Sequence, residues 1–136
     1  MTHNIIESQA QRVRITTAVK SAVLVRALRN AFAMSQSYLA ELSGSSRPTL
    51  NRIETMDKRS PRSDTVDDVL QVFRDMGAEI SIGDEEVAIR FTREALAFVA
   101  KELAMSATQR DTVRANRLSS TSESGIIDPD NPEVGS

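Results

Sequence analysis

The chain contains no cysteine and no tryptophan, and its aromatic side chains are one tyrosine and four phenylalanines. Without thiols there is no disulfide framework, no thiolate nucleophile and no Cys/His zinc site. With so few aromatics, the core is expected to consist of Leu, Ile, Val and Ala. The one histidine, His3, stands near the N-terminal end. Neither of the glycine-rich phosphate-binding patterns occurs. Asp84-Glu85-Glu86 and the pair Asp128 and Asp130 read as solvated turns rather than cation sites. No catalytic, metal or cofactor residue is therefore assigned, and an enzyme is not expected. No apolar run reaches the roughly eighteen residues of a membrane span. The first twenty residues lack an unbroken apolar core, so no signal peptide is visible and a cytoplasmic protein with no membrane partner is expected.

What the sequence does hold is an uneven charge. A length of 136 residues allows one domain with appendages, and the net charge is −2. Residues 1–62 carry ten basic and four acidic side chains, a balance of +6, whereas residues 63–136 carry seven and fifteen, a balance of −8. A positive half suits a phosphate-facing surface, and an acidic half keeps the remainder off a polyanion. The near-neutral total argues against a sequence-independent DNA-coating protein, which relies on large positive charge.

Inside the positive half, residues 36–54 read QSYLAELSGSSRPTLNRIE. Leu39 and Leu42 are apolar at i, i+3, and Leu50 and Ile53 repeat the spacing after Gly44, so two short amphipathic helices are joined by a tight turn. Ala40 sits where the helices would cross, and Gly44 can take the positive φ that the exit from the first helix needs. Ser35 and Ser46 are the expected N-caps, with Arg47 and Pro48 in the first turn of the second helix. The stretch resembles the helix-turn-helix of the Cro/CI-type (XRE) family of DNA-binding repressors, whose pattern is Q-x-x-L-A-x-x-x-G-x-S-x-x-x-[IL]-x-x-[IL]-E. The departure is Ser45, where the family has a small apolar residue.

The resemblance implies a mainly α, lambda-repressor-like helical bundle acting on double-stranded DNA. It places Ser46, Arg47, Pro48, Asn51 and Arg52 of the second helix toward base edges, with Gln36 near a phosphate. Lys58 and Arg59, in the polar loop after Glu54, are carried over as phosphate contacts. It also pairs Glu54 with Arg29 of the first helix as a structural ion pair.

The domain is bounded at residues 20–77. Leu24, Leu28 and Phe32 recur at i+4 in its first helix, and a later helix over residues 64–76 presents Val66, Val69, Leu70 and Phe73, with Ser63 as N-cap and Gly77 as terminator. Residues 1–19 form an N-terminal extension in which Val13 and Ile15 alternate with basic residues as in a strand, while Ile6, Ala10 and Val13 also fit one helix face. A DNA-reaching arm, an extra helix and a frayed end all remain open.

After Gly77 the period changes from 3.6 to 2. Ile80 and Ile82, then Val87, Ile89 and Phe91, give a β-hairpin around Gly83. Thr92 caps a further helix from Arg93 to about residue 107, with a stripe of Ala95, Leu96, Val99, Ala100 and Leu103. Residues 78–115 are read as a dimerisation element holding a homodimer through Ile80, Ile82, Val87, Ile89, Phe91, Leu96, Val99 and Leu103; covering the chain's own core is the alternative. Residues 116–136, rich in Ser, Thr, Gly, Pro and Asp, are read as a disordered acidic tail.

A strand directly after the helical domain is similar to the antitoxin repressors partnered with HipA-type kinases, in which a short strand of each subunit pairs across the dimer axis. The expected function is thus a homodimeric repressor on a palindromic operator, regulating its own gene. The alternative is an antitoxin that neutralises a kinase-like toxin by direct binding.

Overall fold

The computed structural model describes residues 13–59 and 61–126. The N-terminal reading over residues 1–12, including His3, and the tail reading over residues 127–136, including Asp128 and Asp130, lie outside the described residues. The fold is mainly helical, with a helix-turn-helix domain followed by a two-stranded antiparallel hairpin and C-terminal helices.

Helix α1 spans Thr17–Ala31 and begins a turn before the expected Lys20. The reason is local: Thr16 is extended, and its hydroxyl accepts the Val19 N–H at 3.3 Å, capping a helix one turn longer than the apolar spacing alone suggested. Helix α2 spans Gln36–Ser43 behind the Ser35 cap, and helix α3 spans Arg47–Glu54 behind the Ser46 cap. Between them Gly44 sits at φ 72°, which its missing Cβ permits. Leu24, Leu28, Leu39 and Leu50 are fully buried, and Ala40 is buried at the crossing.

Helix α4 spans Ser63–Asp75. Ser63, the expected N-cap, is instead the first helical residue. Arg62 holds the cap position with no side-chain hydrogen bond, and Asp64 accepts the Thr65 N–H at 2.9 Å. At the other end Gly77 takes φ 100° for two reasons. The turn needs that conformation, and a Cβ there would stand 2.8 Å from Ala95 N and 2.9 Å from Thr92 Oγ1.

Strands β1 (Ala78–Ile82) and β2 (Val87–Phe91) pair with Ala78 opposite Phe91, Ile80 opposite Ile89 and Ile82 opposite Val87. That register puts all six on one face, and Ile80, Val87, Ile89 and Phe91 pack against the core of the helical domain. The other face is polar, with Arg90 donating twice to the Glu79 carboxylate at 2.7 and 2.8 Å. Lys20 Nζ donates to the carbonyls of Gly83 and Asp84 and ties the turn to α1.

Helix α5 spans Arg93–Ala104, capped by Thr92, whose hydroxyl also donates to Gly77 O at 2.6 Å. Its buried side is set by Ala95, Phe98, Val99 and Glu102, rotated by about one position from the expected stripe. Leu96 and Leu103 consequently point outward, each 57% exposed. Of the eight residues expected to hold a dimer, Ile80, Val87, Ile89, Phe91 and Val99 pack on the chain's own core, and Ile82, Leu96 and Leu103 are exposed. The hairpin needed a hydrophobic support, and the helical domain of the same chain supplies it.

The expected end of ordered chain near residue 116 is also corrected. Helix α6 spans Ala107–Ile126. Ser106 starts it with a capping box: its hydroxyl accepts the Gln109 N–H, and Gln109 Oε1 accepts the Ser106 N–H.

The two parts of the chain meet at Phe32. Its ring lies 5.5 Å from that of Phe73 and 6.0 Å from those of Phe91 and Phe98. Beside this cluster Glu102, 1% exposed, accepts from Arg114 Nε at 3.2 Å and forms an ion pair with Arg117 at 2.7 Å. Arg114 is itself buried, donates to the carbonyls of Phe32 and Ala33, and lies 4.6 Å over the Tyr38 ring.

Candidate nucleic-acid interface

In α3, Leu50 and Ile53 are buried, so the opposite side of the helix must face out. Arg47, Pro48 and Asn51 are exposed and Arg52 is half-buried. Gln36, at the start of α2, shares one shallow cleft with Arg47, Pro48 and Asn51. Four of the eight side chains singled out for DNA contact thus converge on one surface depression. Ser46 is exposed next to them, but its hydroxyl already accepts the Thr49 N–H and shares a 2.8 Å hydrogen bond with Thr49 Oγ1. It sets the start of the helix, and its remaining hydrogen-bonding capacity is small.

The orientation of α3 is fixed from beneath. Arg29 donates from Nε to Glu54 Oε2 at 2.9 Å and from Nη2 to Oε1 at 2.7 Å, while its Nη1 donates to Met34 O at 3.0 Å. One guanidinium therefore joins α1, the turn before α2 and the end of α3, in a two-pronged geometry that lysine cannot reproduce. The Glu54 hydrogen bonds raise the Arg29 pKa above its ordinary value, against the desolvation that partial burial brings. Glu54 is 8% exposed, so this pair is shielded from water far more than a surface bridge.

The loop after α3 presents Lys58 and Arg59 to solvent. Asp57 organises it: its carboxylate accepts the Arg59 N–H at 2.8 Å and meets Arg59 Nε only at 3.4 Å. The backbone bond, then the side-chain one, hold the Asp57 carboxyl below the ordinary carboxylate range. The Arg59 side chain is 78% exposed, so its guanidinium is free to find another anion.

Two further residues open onto the same surface. A groove runs from Gln36 and Asn51 past Arg26, Arg29, Val23 and Met56 along α1. Arg26 is exposed and stands three residues before Arg29, a helical-neighbour spacing that was present in the sequence. Met56 is 50% exposed at φ 56°, a left-handed conformation that bulky side chains seldom adopt. It occupies the turn of a Schellman motif, with Met56 N–H to Ile53 O and Asp57 N–H to Arg52 O. Among the described residues no cluster of acidic or histidine side chains could hold a metal ion, and no helix is long and apolar enough to cross a membrane.

Residues 25–74 match the helix-turn-helix family model HTH_3. The match covers α2 and α3 whole and reaches into α1 and α4. It supports a Cro/CI-type helix-turn-helix and, with it, a DNA-binding transcription regulator; the family is one of DNA-binding regulatory domains rather than enzymes. No curated protein and no solved structure matches the chain.

Proposed function

We propose that the protein is a homodimeric repressor that reads a palindromic operator in the cytoplasm and regulates its own gene. The observation that carries this reading is the cleft shared by Gln36, Arg47, Pro48 and Asn51, on the outer side of a helix whose direction the Arg29–Glu54 pair fixes. With α3 in the major groove, Arg47 and Arg52 each reach a guanine O6/N7 edge and Asn51 an adenine edge. Pro48 offers only an apolar touch to a thymine methyl or a sugar. Gln36, Lys58 and Arg59 take phosphates, which set register without choosing sequence. One such helix reads few base pairs, so a two-fold copy is needed for specificity. Ile82, Leu96 and Leu103 are exposed apolar residues that suit that contact.

Selection from random duplexes tests the reading directly. The expected product is a palindrome with half-sites about 34–36 Å apart or a multiple of it. Arg47→Ala or Arg52→Ala should cost about 1–3 kcal/mol of binding and relax preference at one base pair. Lys58→Ala should weaken all sequences alike and reduce the salt slope by about one. Recovery of no preferred sequence, from a folded protein, would overturn the proposal. The antitoxin reading, with a kinase-like toxin as partner, has less support. The strand that pairs across the dimer axis in the resembling antitoxins is here β1, already paired on one side with β2 of its own chain.

A further inference from the structure

Gln36 and Asn51, on the outer side of α2 and α3, share a groove with Val23 and Arg26 of α1 and with Met56 in the turn after α3. Val23 and Arg26 are exposed and stand at i, i+3, so they occupy one face of α1. Charge limits what this groove can take. Arg26 has no hydrogen bond or ion pair among the described residues, whereas Arg29 is held by Glu54 and Lys20 by the carbonyls of Gly83 and Asp84. Among the described residues the one acid lining the groove is Glu54, which is 8% exposed and gives both carboxylate oxygens to Arg29. The neighbouring depression, which Arg26 also lines, has no acid among its described residues. The local field is therefore that of an uncompensated cation, and the occupant it favours is an anion. The apolar side chains narrow the choice. Val23 is 51% exposed, and Met56 is 50% exposed at φ 56°, so a bulky apolar side chain is held outward in a conformation that favours glycine.

We propose that the DNA interface extends from α3 onto α1, with Arg26 on a phosphate and Val23 and Met56 against the adjoining sugar. The extension rests on the DNA-binding reading, because it is α3 that brings the strand to α1. A free phosphate would use Arg26 alone, whereas a nucleic-acid strand presents phosphate and sugar together. Position favours the duplex as well. An α-helix with its side chains is about 10–12 Å across and a major groove about 12 Å wide, so with α3 in that groove the elements flanking it meet the strands that wall it. Arg26 then lies where the strand passing Gln36 and Asn51 continues. Such a contact sets register and strength without choosing sequence.

Anisotropy of a labelled random-sequence duplex, titrated with the full chain between about 50 and 200 mM salt, measures the contact. Arg26→Ala should weaken binding roughly tenfold at the low end and reduce the salt slope by about one. Arg26→Lys should restore the slope, since a phosphate accepts a point charge. Arg93→Ala, which removes the same charge from the exposed start of α5, should change neither. Saturation of the duplex protons should reach the methyl groups of Val23 and Met56 and not those of Leu96 and Leu103. An Arg26→Ala slope equal to wild type, an equal loss with Arg93→Ala, or no transfer to Val23 and Met56 would each overturn the extension while Arg47→Ala and Lys58→Ala still report DNA binding. Val13, the first described residue, also lines the groove, so its N-terminal neighbours are the rival occupant. Methyl contacts showing residues 1–12 seated against Val23 and Met56 in the duplex-bound chain would likewise overturn it. A folded wild-type chain that binds no duplex at low salt removes the DNA-binding reading itself, and the extension with it.

Discussion

Two buried carboxylates, Glu54 and Glu102, hold the molecule together in different ways. Glu54 closes the helix-turn-helix on itself: its partner, Arg29, is 25 residues earlier, and the Arg29 side chain is still 27% exposed. Glu102 joins the C-terminal helices to that domain. It takes two arginines from α6, and one of them, Arg114, is 8% exposed and reaches the carbonyls of Phe32 and Ala33 at the end of α1. The first pair orients a recognition helix at the edge of the core, and the second secures an interface inside it. Burial decides which is costlier to break, because a guanidinium left without its anion can rehydrate at Arg29 but not at Arg114.

The largest effect is therefore expected from Glu102→Gln. It keeps the shape and removes the charge, stranding a buried arginine, and should cost about 3–5 kcal/mol in urea unfolding. Next comes Glu54→Gln, which leaves the Arg29 guanidinium, 27% exposed, able to rehydrate and should cost about 1–3 kcal/mol. A double-mutant cycle on Arg29 and Glu54 should show coupling above the roughly 0–1 kcal/mol of a surface pair. If Glu54→Gln proves costlier than Glu102→Gln, the ranking by burial is wrong.

The family resemblance made the first pair readable across 25 residues, whereas the second, only 12 residues apart, was hidden because no local signal places α6 against α5. Ser35, Ser46, Gly44, Gly77 and Thr92 act on their own neighbours, so one residue type in the right place is enough to recognise a cap or a turn. The outward side of α3 follows in the same way from Leu50 and Ile53. Glu102 stands at a core position of α5, but only the placement of α6 reveals that, and an acid in an alanine-rich helix reads as solvated. Leu96 and Leu103 misled for the converse reason, being apolar yet outside. The alternation in β1 and β2 named the buried face but not what buries it, since period 2 is the same whether the partner is the chain's own helix or another copy. The Ser106–Gln109 box is a local signal that the sequence reading missed, and the Ser- and Thr-rich composition that follows reads as tail. The cleft of Gln36 with Arg47, Pro48 and Asn51 depends on how α2 crosses α3, which only the fold supplies.

The smallest effect concerns the turns that adjoin the two clamps. Ala33 (φ 53°) and Met56 (φ 56°) each stand where a helix exit favours glycine. Relief of left-handed strain, about 1–2 kcal/mol, exceeds the roughly 0.5–1 kcal/mol of extra chain freedom that glycine loses on folding. Ala33→Gly and Met56→Gly should each stabilise by about 0.5 kcal/mol in thermal unfolding. The comparison sharpens if Met56→Gly gains stability but weakens DNA binding while Ala33→Gly changes stability alone. A methionine kept in a strained turn beside Asn51 would then have its explanation at the nucleic-acid surface.

The contacts of Arg114 with Ala33 and Phe32 span 81 and 82 residues. On a ribosome making about 5–20 residues per second, that separation is a wait of roughly 4–16 s. Helical domains rich in local contacts fold in about microseconds to milliseconds. The helix-turn-helix therefore has time to form with the carbonyls at the end of its first helix still open to water, and the latch from α6 closes on a domain already built. A contact made that late is absent from the folding barrier. Its loss is expected to quicken unfolding and leave the rate of folding nearly unchanged, which makes Arg114 and Glu102 guardians of the protein's lifetime rather than of its assembly.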